Sequence, residues 1–299
     1  MEIRALQEGD LDAADRVLRR AFAALVGEDG QRDTDLVRTR WSAPHVVAFG
    51  AFDPGLVGSV FATGWGSVGF LGPLSVEPVL WGRGIGSALF AAADRALADG
   101  AHRGLFTFAN SPAHHRLYQR FGYWPRFLTA LMSRPVEPAP PGVAWSLGST
   151  VDRAELDAGA RRLADAVFAG LDVRGEIATV LDQKIGDVVL LGPVRDPAGL
   201  AVLHDGPGSE AGSGLAYAKV ALVRPGAGAD FARLVDACLG HAAAIGVDRL
   251  VVGVNTARRR AYRHLCERGF VTDVPGVTMH SPDTPGYDHD STYVLDDWR

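Results

Sequence analysis

The chain has 299 residues, of which 47% are hydrophobic and 22% charged, with a formal net charge of −5. That length suits two cores of about 150 residues each, and the acidic balance argues against nucleic acid as a partner. Cys238 and Cys266 form no disulfide framework and no metal-type spacing. No apolar run reaches the roughly 18 residues needed to span a bilayer, and Met1–Leu11 shows no basic-then-apolar leader. A cytoplasmic protein without a metal and without a membrane partner is expected. The nine histidines are scattered; His114–His115 is the only pair, and adjacent helix positions do not share a face.

In chain order, Glu2–Leu6 reads as a strand. Asp10 can cap a helix whose apolar face is Leu11, Ala14, Leu18, Phe22 and Leu25. Strand-like runs follow at His45–Phe52, Leu56–Gly64 and Val68–Glu77, then a glycine turn at Gly82–Gly86. A helix over Ser87–Asp99 is stopped by Gly100, and a strand at Gly104–Ala109 leads to a helix ending at Phe121-Gly122-Tyr123. Ser133–Gly142 holds four prolines and a glycine and reads as a linker. The second half repeats the order. A strand at Val143–Leu147 precedes a helix with Leu156, Ala160, Leu163 and Val167 on one face, then strands near Asp187–Leu191, Leu200–His204 and Leu215–Val223. The glycine-rich loop His204–Gly214 is expected to be mobile. A Gly226–Gly228 turn, a helix burying Phe231, Leu234, Val235, Cys238, Leu239 and Ala242, a strand at Arg249–Val254 and a helix ending at Gly269-Phe270 complete the repeat.

Gly226 stands 142 residues after Gly84, Asn255 145 after Asn110, and Gly269 147 after Gly122, which reads as duplication at domain scale. The fold class is therefore α/β with mixed sheets: residues 1–135, a Pro-rich linker 136–142, and residues 143–299, each domain a mainly antiparallel mixed sheet flanked by helices.

The segment Leu80-Trp-Gly-Arg-Gly-Ile-Gly-Ser87 lies between a strand and a helix. Its glycines let the backbone turn sharply, and free N–H groups at a helix start favour a phosphate. It reads as a pyrophosphate cradle. No Lys-Ser or Lys-Thr follows, so it is not a P-loop, and its place after the fourth strand argues against a dinucleotide site. A tight turn with no ligand is the alternative.

With its surroundings, Pro78-Val-Leu-Trp-Gly-Arg-Gly-Ile-Gly-Ser-Ala-Leu89 resembles the cofactor motif of the GNAT acyltransferases, usually Gln/Arg-x-x-Gly-x-Gly/Ala. Ser111-Pro-Ala-His-His-Arg-Leu-Tyr-Gln-Arg-Phe-Gly-Tyr123 resembles the second signature of that family, a polar residue seven positions before a Tyr with Gly-Phe/Tyr four beyond. The strand–helix opening extends the likeness over residues 1–135. The resemblance implies two tandem GNAT-like domains and transfer of an acetyl group from acetyl-CoA to an amine of a small molecule or peptide. It implies cofactor contacts at Leu74 and Val76 through the strand backbone, at Trp81, Gly82, Arg83, Gly84, Ile85, Gly86 and Ser87 in the turn, and at Asn110 and Ser111. Trp81 stands where the family has Gln or Arg; the cradle is mostly backbone, so binding is expected to survive.

Acyl transfer also needs a polarised thioester carbonyl, here through the Val76 N–H, and a proton for the leaving thiolate. Tyr118 matches the family's tyrosine near the sulfur, and a phenol is protonated at neutral pH. Glu77, at the strand end, is the carboxylate placed to serve as base, or is simply a solvated strand end. In the second half Pro225 removes a donor from the turn, and Leu265 takes the tyrosine's place, so that half reads as a GNAT-like domain with a degenerate cofactor loop. Arg258-Arg259-Arg260 reads as a solvated helix face and Cys266 as core. Rival readings are a non-catalytic acyl-CoA sensor, another acyl group, or a hydroxyl acceptor. The acceptor would be set by Gly27–Trp41 and the opposite domain.

Overall fold

A computed structural model describes residues 1–26, 33–137 and 143–298. The first half contains β1 (Glu2–Ala5), α1 (Leu11–Val26), α2 (Leu36–Trp41), β2 (Val46–Phe52), β3 (Leu56–Trp65), β4 (Val68–Val76), α3 (Ile85–Ala96), β5 (His102–Phe108), α4 (Pro112–Gln119) and β6 (Trp124–Pro135). The second contains β7 (Ser146–Leu147), α5 (Arg153–Val167), α6 (Arg174–Gln183), β8 (Gly186–Leu191), β9 (Gly199–Gly206), β10 (Gly212–Val223), α7 (Gly228–Ala244), β11 (Arg249–Asn255), α8 (Arg259–Glu267), β12 (Val271–Ser281) and β13 (Val294–Leu295).

The strands form one sheet in the order β1-β2-β3-β4-β5-β12-β6-β11-β10-β9-β8-β7, with β13 on β10. Among the described residues every pairing is antiparallel except β4–β5 and β10–β11. The amphipathic helices bury their apolar stripes on this sheet: Leu11, Ala14 and Leu18 of α1 pack with Phe61, and Phe231, Leu234 and Cys238 of α7 pack with Leu250 and Val252. The halves exchange strands. β12 inserts between β5 and β6, while β6 pairs with β11. One cluster joins Trp65, Val68 and Phe70 to Leu156, Leu163 and Trp298. Beside it, Glu176 accepts from Trp65 Nε1 and pairs with His45 Nε2, both at 2.9 Å.

The parallel ladders start at Val68↔His102 and Leu215↔Arg249, so both strands of the pair are offset by 147 residues (68 to 215, 102 to 249). The same offset relates α4 to α8 and β6 to β12 at their first residues. The 142-residue spacing of the glycine turns departs from this frame for a local reason. Eight residues, 77–84, connect β4 to α3, whereas four, 224–227, connect β10 to α7, and α7 has 17 residues against 12 in α3. Much of the turn has been wound into helix.

Several expectations change. Ser133–Pro135 belong to β6 rather than to a linker, because their backbone pairs with β11; residues 138–142, and 27–32 of the anticipated acceptor loop, lie outside the described residues. The strand at 143–147 shortens to Ser146–Leu147. The loop after His204 is a hairpin tip tied down by Glu210, which is gripped by Arg40 and Lys219. Cys266 is exposed. Arg258 is 1% exposed, because its guanidinium donates to Asp288 and Asp296; Arg259 and Arg260 do face solvent. No helix among the described residues is long and apolar enough to cross a membrane.

Candidate active site

The β4–β5 ladder ends at Phe70↔Gly104, yet β4 continues to Val76 and β5 to Phe108. Two parallel strands that stop pairing diverge and open a wedge between their backbones. A bulge helps: Val60 and Ala62 of β3 face Leu74 and Leu71, so two residues of β4, Gly72 and Pro73, stand against one of β3. The Gly72 carbonyl accepts from Arg40 at 2.7 Å, which fixes the bulge.

At the mouth of the wedge Gly82 and Gly84 have φ of 79° and 84°, values that favour glycine. A Cβ added at either would meet no atom within 4 Å, so their bareness serves the turn and leaves space beside it. Gly84 is the N-cap of α3, and the first amides of that helix have no intrahelical acceptor. The groove here has a volume of about 830 Å³. Leu74, Val76, Trp81, Gly82, Gly84, Ile85, Gly86, Ser87, Ser111 and Tyr118 all line it, as do Arg116 and Arg120 from α4. Helix amides and two guanidiniums suit an elongated anion such as the pyrophosphate of acetyl-CoA. Arg83 and Asn110 are exposed and outside this lining. The Trp81 indole donates to the Val76 carbonyl at 2.8 Å, tying the turn to the strand end.

Tyr118 is 8% exposed, and burial pushes its hydroxyl up to about 12. Thr107 of β5 hydrogen-bonds that hydroxyl and lies 3.4 Å from His114 Nδ1. Burial, reinforced by neighbouring His115, shifts the His114 imidazole below its ordinary value, so it is neutral at neutral pH. Glu77 lies outside the groove lining and accepts from Arg20. Beyond Tyr118 lies a second cavity of about 490 Å³, bounded by both halves: Leu36 and Phe106 from the first, Tyr217, Val274 and Trp298 from the second. Groove and cavity share Leu25, Leu74, His114 and Tyr118, so they meet at the tyrosine. His114, Arg116 and Arg120 were not singled out from the sequence as site residues. The available signal was spacing: 114 and 118, and 116 and 120, are helix neighbours on shared faces.

The second half has the same splayed pair, with its ladder ending at Ala218↔Val252. Here β13 lies against β10, pairing Leu295 with Ala221 and Val294 with Leu222. On the 147-residue offset Ala221 and Leu222 correspond to Leu74 and Ser75. The short turn is engaged as well: the Gly226 N–H donates to the Ser291 carbonyl, and a Cβ on Gly228 would lie 2.7 Å from the Tyr293 hydroxyl. Among the described residues no group of three or more His, Cys, Asp or Glu could hold a metal.

A splayed parallel pair with a glycine-capped helix at its mouth leaves a groove suited to an elongated anionic ligand. Residues 13–123 match the model of the acetyltransferase (GNAT) family, whose general chemistry is acyl transfer. No curated protein matches the chain in sequence. Among solved structures, a Pyrococcus horikoshii protein assigned to the acetyltransferases matches over 99% of this chain and 94% of its own, at TM-score 0.68 and 11% identity. A GCN5-related N-acetyltransferase from Sphaerobacter thermophilus matches over 94% and 95%, at TM-score 0.59 and 16% identity. A tandem GNAT protein from the clavulanic acid biosynthesis pathway matches over 94% and 98%, at TM-score 0.57 and 14% identity. At these identities the likeness is one of fold, and it extends across both halves.

Proposed function

We propose that the chain transfers an acetyl group from acetyl-CoA, held in the first half, to an amine bound in the cavity between the halves. The observation that carries this reading is the junction of groove and cavity at Tyr118. The α3 amides with Arg116 and Arg120 hold the pyrophosphate, and the unpaired edge of β4 over Leu74–Val76 guides the thioester inward. The amine nitrogen attacks the thioester carbon; the C–N bond forms and the C–S bond breaks. Neutral His114 takes the proton that the amine loses, and Tyr118 delivers one to the departing sulfur. A phenol raised to about 12 is a reluctant donor by itself. The Thr107 hydroxyl beside both side chains returns the proton from His114 to Tyr118 and closes the cycle. The Glu77 carboxylate is held by Arg20 and lies outside the groove lining, so His114 is the group placed to take the proton.

Thiol release from acetyl-CoA with a panel of amines tests the reading. Tyr118→Phe is expected to lower kcat by about 100-fold or more with acetyl-CoA affinity retained. His114→Gln is expected to remove the acidic limb of the kcat/KM profile. Binding without turnover on any amine would contradict the transferase reading and favour an acyl-CoA sensor.

A further inference from the structure

The cavity between the halves carries information about its acceptor through the state of its polar groups. Thr107, His114 and Tyr118 cluster at the end that meets the groove, where the transferred nitrogen must sit. The remaining polar side chains are already engaged within the protein. Arg40 holds Glu210 at 3.0 and 2.9 Å and the Gly72 carbonyl at 2.7 Å. Glu210, the one carboxylate among the described residues of the wall, also accepts from Lys219 at 2.9 Å, and both cations hold its carboxyl well below the ordinary range. It is committed to them rather than offered to an ammonium. The Tyr217 hydroxyl donates to Asp297 and the Trp298 indole to the Tyr287 hydroxyl. The other described side chains of the wall are apolar, among them Phe22, Leu36, Phe106, Phe108, Leu131 and Val274.

We infer that the acceptor is a hydrophobic primary amine: one nitrogen presented at His114 and Tyr118, carried by a compact, largely aromatic body. A cavity of about 490 Å³ is of small-molecule size. A polyamine, an amino sugar or a peptide would bury further polar groups for which the described side chains of the wall keep no uncommitted partner. The apolar walls also disfavour the ammonium form, so the amine arrives neutral and nucleophilic. The inference rests on the transferase reading, and the test separates the two.

The probes are 2-phenylethylamine, spermidine, glucosamine and an unblocked tripeptide. Each is assayed for acetyl-CoA-dependent turnover and titrated calorimetrically into the protein with and without CoA. The expected result is that 2-phenylethylamine binds and gives the highest kcat/KM. Val274→Asp and Leu36→Glu, on opposite walls, should each weaken it by roughly tenfold or more while acetyl-CoA affinity holds. Agreement of the two guards against one variant failing to fold. A higher kcat/KM for spermidine, glucosamine or the tripeptide would overturn the acceptor class and leave the transferase reading standing. No turnover with any probe, but 2-phenylethylamine binding that both variants weaken, would overturn the transferase reading and keep the cavity's ligand class. Absence of 2-phenylethylamine binding would overturn the inference.

Discussion

Two splayed parallel pairs, offset by 147 residues, lie in one sheet. The β4–β5 wedge is bordered by a long glycine turn whose open side faces a groove, and the β10–β11 wedge by a turn half as long that donates to the chain's own Ser291 carbonyl. In the second wedge the backbone edge at Ala221 and Leu222 is paired by β13, so an extended segment of this protein takes the place that a pantetheine arm would take at Leu74 and Ser75. On the proposed reading, a segment of the chain itself fills the second wedge where the first stays open for a ligand. The filling segment is anchored by a buried cation: Arg258 donates to Asp288, to the Val294 carbonyl and to Asp296 at 2.7–2.8 Å. Tyr287 donates to Asp296 and receives from Trp298, whose ring also borders the acceptor cavity. The segment that fills the second wedge thus also contributes Trp298 to the wall of the cavity.

Paired substitutions break this comparison most sharply. Gly84→Trp should remove measurable acetyl-CoA binding, whereas Gly226→Trp should leave it unchanged. Both glycines have positive φ, 84° and 81°, with no neighbour within 4 Å of a Cβ, so the backbone penalty is matched and calorimetry reads the site alone.

The next effect is on stability. Arg258→Ala leaves two carboxylates in the interior without their cation, which should cost about 3–5 kcal/mol in chemical denaturation. The same change at Arg116, in the first half's groove, should cost little stability and weaken acetyl-CoA instead.

A smaller effect concerns the joint between halves. Burial by itself would raise the Glu176 carboxyl, but pairing with His45 and nearby Lys219 holds it down to about 2, against an ordinary 4.5. Its folded value is below its unfolded one, so the stability it contributes is full above pH 4.5 and is lost as pH falls toward 2. That contribution is on the order of 3 kcal/mol. Denaturation midpoints followed through this window should fall less steeply in Glu176→Gln than in the wild type.

The glycine turn, the helix stripes and the Gly122 and Gly269 endings are local patterns, and they made the repeated element order and the strand–turn–helix over Val68–Ala96 legible in the sequence. Leu265 in the tyrosine's place could likewise be read by counting back from Gly269. The exchange of β6 and β12 could not, because β6 carries Pro125 and Pro135, β12 carries Pro275, and each finds partners in the other half. Nor could the role of β13, two residues whose pairing depends on Arg258 reaching partners 30 and 38 positions away. Arg258 read as solvated for the same reason: a basic run looks exposed until its carboxylates are found. His114 was seen as half of an adjacent pair, when its spacing of four from Tyr118 was the informative one.

On the proposed reading, one wedge receives acetyl-CoA and the other is closed by the chain itself. Counting sites by calorimetric titration of the intact protein with acetyl-CoA tests it most directly. The account predicts one site per chain, lost in Gly84→Trp. Two sites per chain, or one that survives Gly84→Trp, would contradict it.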